Sequence, residues 1–258
     1  MRNNGFKNER DFVNFFNKKY LYEFDSNTQE FLTNIFDGTI DNSEPIICYK
    51  NKELQKADIF IQFKKYTKGI SIKSGHYNSV SQEPVKEFER FLINLNIPYK
   101  VIDYYLSFHY GYRRNSDGTR DYSKKLSSED YRLLYQDEVD IFNKYINKTK
   151  IIIEMVDRFV IRGRNSKYDI DALICGTPDK YVWINKYDLY DLFLDKKCLN
   201  YKTPHISCLT IGPKKRCLTT ENKTKDRYEV CVKWVSPEND IKGFKEKQKT
   251  KKLISECL

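Results

Sequence analysis

From Asp58 to Phe63 apolar and polar positions alternate, with Ile59, Ile61 and Phe63 on one side of the register and Asp58, Phe60 and Gln62 on the other. Ile70 and Ile72 alternate with Ser71 and Lys73 in the same way. A period of two marks a half-buried strand. The run Lys64-Lys65-Tyr66-Thr67-Lys68-Gly69 between them has hairpin-loop length and turn chemistry, so the two strands are expected to be antiparallel neighbours. That pairing brings Asp58, Ser71 and Lys73 to one face of a sheet. A strand near residues 45–49 completes a small meander.

Helical spacing governs the flanks. Phe12, Phe15 and Phe16, then Phe31, Leu32, Ile35 and Phe36, predict two helices broken near residues 24–27. Val85, Phe88, Phe91, Leu92 and Leu95 predict a helix opening at Glu83 or Pro84, since proline is tolerated in the first turn. The small and polar residues 74–82 before it read as a loop. Residues 103–148 are polar, aromatic and basic, with an exposed loop at 113–120 and helices around 128–145. Beyond them, β-type segments fall at 151–153, 159–162, 170–174, 181–184, 206–211 and 228–234, with one short helix near 187–193. The basic tail, 242–252, lacks a sustained apolar face and reads as a frayed helix or a phosphate-touching arm.

A chain of 258 residues can bury a full-sized core. The division expected is a catalytic core over residues 1–100, a basic and aromatic insertion over 101–150, and a strand-rich region over 151–258 for DNA recognition or dimerisation. Charge adds a partner: 46 Lys+Arg against 36 Asp+Glu leave a net +10, which favours a polyanion. Seven scattered cysteines without a Cys-x-x-Cys pair point to reduced thiols in a cytoplasmic protein, and three dispersed histidines give no zinc pattern. The polar N-terminus and the lack of a long apolar run predict neither signal peptide nor membrane helix. No phosphate-binding glycine loop supports ATP or dinucleotide chemistry.

Against that background Asp58 and Lys73, fifteen residues apart, carry the chemistry. Hydrolysis of a phosphodiester needs an attacking water, neutralisation of the charge growing on the phosphorane oxygens, and a stabilised leaving alkoxide. A metal-holding carboxylate and a lysine suit those needs. The usual second carboxylate, two residues before the lysine, is here Ser71.

The segment resembles the PD-(D/E)xK nucleases, and more narrowly type II restriction endonucleases in which the motif reads Ser-x-Lys and the glutamate has moved to the following helix. The resemblance spans residues 8–96, with Ala57 where the family usually has proline. It implies an α/β (α+β) fold with a central mixed sheet flanked by helices, and Mg²⁺ as cofactor. It implies Asp58, a displaced glutamate and the backbone at Ile72 as metal ligands. It also implies a homodimer cutting both strands of double-stranded DNA. Glu83 and Glu87, ten and fourteen residues beyond Lys73, are both candidates, four apart and able to share one side of a helix.

Two decoys compete. Pro178-Asp179 reads as a hairpin turn, and Asp169 with Asp171 as the solvent side of a strand or a second metal pair. Candidate DNA contacts are Arg113, Arg114 and Arg120 on the loop, Arg162, Arg164, Asn165, Ser166 and Lys167 on a second basic turn, and Lys214, Lys215 and Arg216 on a third. Arginine and asparagine read base edges bidentately, and lysine mostly touches phosphate. Two rivals stand beside a restriction enzyme: a repair or recombination nuclease of the same fold, and a DNA-binding protein without catalysis.

Overall fold

The structure, a computed structural model, describes residues 4–53, 56–73, 78–163, 168–195, 202–215 and 225–256. In chain order its elements are α1 (Asn4–Phe16), α2 (Ser26–Ile35), β1 (Ile47–Lys50), β2 (Ile59–Phe63), β3 (Tyr66–Lys73), β4 (Asn78–Pro84), α3 (Val85–Asn94), α4 (Tyr99–Tyr110), β5 (Tyr112–Arg114), β6 (Arg120–Lys125), α5 (Ser128–Ile146) and α6 (Thr149–Val156). A π-helical turn (Asp157–Ile161) leads to β7 (Ala172–Thr177), β8 (Lys180–Asn185), α7 (Lys186–Asp195), β9 (His205–Ile206), β10 (Leu209–Pro213), β11 (Glu229–Trp234) and α8 (Pro237–Glu256). They form two compact units, one from residues 1–78, 157–192 and 236–258, the other from 79–156 and 193–235.

The first unit is built on a five-stranded sheet ordered β1-β2-β3-β7-β8. β3 pairs antiparallel with β2 and parallel with β7, and the remaining pairs are antiparallel, so the sheet is mixed with β3 in its middle. The alternation along β2 works as expected: Ile59, Ile61 and Phe63 are buried with Phe12, Phe16, Phe31 and Leu32 in one apolar cluster, joined by Ile70, Ile72, Ala172 and Ile174. Asp25 starts α2 by accepting the Thr28 N–H at 2.7 Å. The turn between β2 and β3 is tighter than the six-residue loop expected. Phe63 pairs with Tyr66, and Lys64 takes a positive φ of 52° to turn the chain. Pro178-Asp179 is a hairpin turn, between the paired residues Thr177 and Lys180.

The second unit carries a four-stranded sheet ordered β4-β11-β10-β9 and the β5–β6 hairpin. Phe88 packs edge-on against Tyr105, and Tyr105 stacks on Phe142 at 4.9 Å, tying α3, α4 and α5 together. Ser127 caps α5 through a reciprocal pair with Asp130.

Several elements differ from the sequence reading, each for a local reason. Residues 151–153 lie in a helix, because Ile151, Ile152, Met155 and Val156 bury one helical face and leave Ile153 exposed. Residues 159–161 form the π-helical turn with all three side chains buried. The strand expected at 206–211 is broken by Ser207, whose φ of 51° folds β9 back onto β10. The basic tail is an ordered twenty-residue helix, α8, anchored by buried Ile241 and Phe244 and by Lys245, whose Nζ sits 3.2 Å from the centre of the Trp183 ring. The three-segment division gives way to two interleaved units because β7 and β8, from the distal part of the chain, complete the sheet begun by β1–β3. Among the described residues no helix is long and apolar enough to cross a membrane.

Candidate active site

Asp58 and Lys73 meet on the sheet face opposite the apolar cluster. The Ile59–Ile70 register extends one residue further, where the Asp58 N–H donates to the Ile70 carbonyl at 2.8 Å. Alternation then sets Asp58, Ser71 and Lys73 side by side, and Lys73 Nζ stands 4.0 Å from Asp58 Oδ2. Lys73 is the last residue of β3, at the carboxyl end of the middle strand.

The Asp58 carboxylate is held asymmetrically. Its Oδ2 accepts the Ile72 N–H at 2.6 Å and the Ser71 hydroxyl at 3.1 Å. Among the described residues Oδ1 has no hydrogen-bond partner, and the side chain is 27% exposed. One oxygen is therefore a fixed anchor and the other keeps its acceptor capacity. Ser71 is 0% exposed and cannot reach a substrate, so its part is to orient the acid. Ile72 contributes its N–H to the same anchor.

A second lysine at this site escaped the sequence reading. Lys56 Nζ donates to the Phe159 carbonyl at 2.5 Å, securing the segment before Asp58 to the π-helical turn. Burial, followed by repulsion from Lys73, drops the Lys56 pKa to about 7, with Asp58 pulling the other way. Nothing in the periodicity distinguishes Lys56 from the other lysines of this basic chain. Only the return of residues 157–161 to the sheet gives it a task.

The two candidate glutamates do not share a helix. Residues 78–84 form β4, so the loop expected over 74–82 is a strand from Asn78 onward, and Pro84 caps α3. Glu83 lies on that strand and is 2% exposed. Glu87 lies in the first turn of α3, its side chain 39% exposed and paired with Arg90 at 2.9 Å. The loop residues Ser74, Gly75 and His76 lie outside the described residues.

The basic candidates divide sharply. Arg114, with a side chain 9% exposed, bridges Asp103 and both Glu138 oxygens, the latter at 2.9 and 3.0 Å. Arg120 pairs with Asp103 as well. Both guanidiniums are thus engaged inside the second unit, fastening the β5–β6 hairpin to α4 and α5, and neither is placed as an open reader of bases. Arg113 is half-buried, and its Nε has no hydrogen-bond partner among the described residues. Arg162 is exposed but ion-paired with Asp169 at 2.9 Å and Asp157 at 3.6 Å. Lys214 is paired with Glu229 and Asp226, and the neighbouring Lys215 is exposed. Arg164, Asn165, Ser166, Lys167 and Arg216 lie outside the described residues.

Asp169 and Asp171 are occupied by cations, Asp169 by Arg162 and Lys186 and Asp171 by Lys68 at 3.5 Å. Among the described residues no group of three His, Cys, Asp or Glu side chains gathers as a metal cage. His109 is buried, bonded to Tyr105 and to the Arg227 carbonyl, and is part of the core.

The mixed α/β architecture, a central mixed sheet flanked by helices, is that of the restriction-endonuclease fold. Among the solved structures that match is the restriction endonuclease MspI in complex with its cognate DNA. The likeness has a TM-score of 0.54 over 87% of each chain at 13% identity, a likeness of fold. No family model matches the chain, and no curated protein matches it in sequence.

Proposed function

We propose that this protein is a Mg²⁺-dependent, sequence-specific endonuclease of double-stranded DNA, working as a cytoplasmic homodimer in the manner of type II restriction enzymes. The observation that carries the reading is the pinned Asp58 with one oxygen open, 4.0 Å from Lys73, on the middle strands of a restriction-endonuclease sheet. The open Oδ1 is the hard, anionic donor that Mg²⁺ takes. The residues that would hold the ion are Asp58, a glutamate and the Ile72 backbone. Of the two, the buried Glu83 is proposed as the second carboxylate, with Glu87, paired with Arg90, as the alternative. When bound, the ion lowers the pKa of water and offsets phosphate charge.

The chain's own residues supply the rest. Ser71 and the Ile72 N–H hold Asp58 in one rotamer, so no reorganisation is needed when the substrate arrives. Lys73, anchored by Asp58, orients the attacking water and places a positive charge against the phosphorane oxygens. The net charge of +10 draws the DNA in. Arg113, Arg162 and Lys215, with Arg164, Asn165, Lys167 and Arg216, are the proposed contacts to its bases and phosphates.

Incubation of the protein with phage DNA in Mg²⁺, in EDTA, and as Lys73→Ala tests this directly. Discrete fragments are expected in the first tube alone. Cleavage confined to branched or damaged DNA would identify a repair nuclease instead. Salt-sensitive binding with no metal-dependent nicking would leave a binding protein and remove the proposal.

A further inference from the structure

A cavity of about 810 Å³ opens within the first unit. Its walls follow from the strand register: Tyr49 pairs with Phe60, and Phe60 with Gly69, across β1, β2 and β3. Continuing the alternation, Phe60 leads to Asp58 and Gly69 leads through Ser71 to Lys73, so cavity and candidate active site share one sheet face. At about 3.3 Å per residue, Gly69 stands roughly 13 Å along β3 from Lys73. The volume is that of a small-molecule site.

The lining combines aromatic rings, carboxylates and lysines. Tyr49 and Phe60 present tilted rings 5.6 Å apart, and Tyr168, 64% exposed, supplies another aromatic wall. Gly69 keeps the floor bare, since a Cβ there would lie 3.2 Å from Ala57 Cβ and 3.4 Å from the Phe60 ring. Beside it Asp171 Oδ2 accepts the Gly69 N–H at 2.8 Å, and Asp169 is steadied by Arg162 and Lys186. An ionised carboxylate accepts about four hydrogen bonds, so both keep acceptor capacity. Lys50 is paired with Glu9, whereas Lys52 is exposed and has no ion pair among the described residues. Flat aromatic walls, carboxylate acceptors and an exposed cation match a flat, amine-bearing base joined to a phosphate.

We propose that this cavity binds one nucleotide, its base stacked on Tyr49, Phe60 and Tyr168, its exocyclic amine on Asp169 or Asp171, and its phosphate on Lys52. The nucleotide comes from one of two sources, a free mononucleotide or a DNA nucleotide turned out of its stack a few base steps from the cut. Only the second source rests on the nuclease reading. Carboxylates accept and never donate, so cytosine, with its N4 amine, should outbind thymine.

Isothermal titration of the full chain in EDTA with dCMP and dTMP, for the natural protein, Tyr49→Ala and Tyr168→Ala, reads the site without any cleavage. A saturable dCMP isotherm is expected, weaker for dTMP and about tenfold weaker in each variant, the worth of one base–aromatic stack. Both tyrosines are exposed, so thermal melting should report intact folding. In parallel, a duplex carrying 5-iododeoxycytidine is photo-cross-linked and the adduct mapped. An adduct at Tyr49 or Tyr168 assigns the strand nucleotide, and a dCMP isotherm without one assigns the free mononucleotide. Absence of both, or dCMP binding that neither variant weakens, overturns the proposal. An inactive nuclease that still binds dCMP would separate failure of the catalytic reading from failure of this one.

Discussion

Replacement of Arg114 by alanine separates a structural arginine from a DNA-reading one. The guanidinium touches Asp103, both Glu138 oxygens and, at 5.4 Å, the face of Tyr104. With the side chain only 9% exposed, solvent screens these pairs weakly. Breaking a buried pair by removing one partner costs about 3–5 kcal/mol, because the surviving charge is left without compensation. Here Asp103 keeps Arg120 and Glu138 keeps the Tyr131 hydroxyl at 2.5 Å, so the lower end, about 3 kcal/mol, is expected. For a chain of this size that is a fall in melting temperature of roughly 6–12 °C. Arg114→Lys keeps the charge but loses the fork, and should fall between the two. Thermal and urea unfolding, with hydrogen exchange read at α4 and α5, give the stability. DNA affinity measured against salt gives the other half. A phosphate-contacting arginine lowers the salt slope by about one on removal, whereas Arg114→Ala should leave the slope unchanged. Full stability together with a reduced slope would refute the assignment.

Ser71→Ala should lower the cleavage rate about tenfold at unchanged DNA affinity, since a hydrogen bond to a charged group is worth about 1.5–3 kcal/mol and the Ile72 N–H still holds Asp58; single-turnover kinetics beside a binding titration check it. Glu83→Gln should abolish Mg²⁺-dependent cleavage and Glu87→Gln should leave it within a few-fold, and the reverse order would move the ligand to α3. Burial lowers the Lys245 pKa to about 8, with Glu30 and Asp188 only partly offsetting it. The unfolded chain, with its lysine at 10.5, then holds more protons between pH 8 and 10.5, so stability from this group rises with pH across that window. Urea midpoints for the natural chain minus those for Lys245→Met should show that rise, and a flat difference would count against it.

The strand meander was legible because period-two burial is local: Ile59, Ile61 and Phe63 needed only one apolar layer beneath them, and alternation alone brought Asp58, Ser71 and Lys73 together. Asp58 could not be read as a clamped acid, since the clamp depends on a backbone N–H that sequence does not display. The engaged state of Arg114 was equally hidden, because Asp103 and Glu138 lie eleven and twenty-four residues away on different helices. Ile151–Ile153 misled because three adjacent β-branched residues suit a strand by propensity, while the burial of Met155 and Val156 beyond them decided for a helix. The cavity was invisible for the same reason as Lys56: its walls come from segments a hundred residues apart that only the sheet joins.

The parallel ladder between β3 and β7 bears on how such a molecule is made. Ribosomes deliver residue 73 well before residue 172, an interval of 99 residues, or about 5–20 s at ordinary elongation rates. Throughout that interval the nascent β1–β3 meander exposes the β3 edge that β7 later covers, a template on which neighbouring polypeptides aggregate. Lys73 therefore emerges into the cell on a sticky fragment, and its yield on overexpression should depend on chaperone supply and on slow, cool growth.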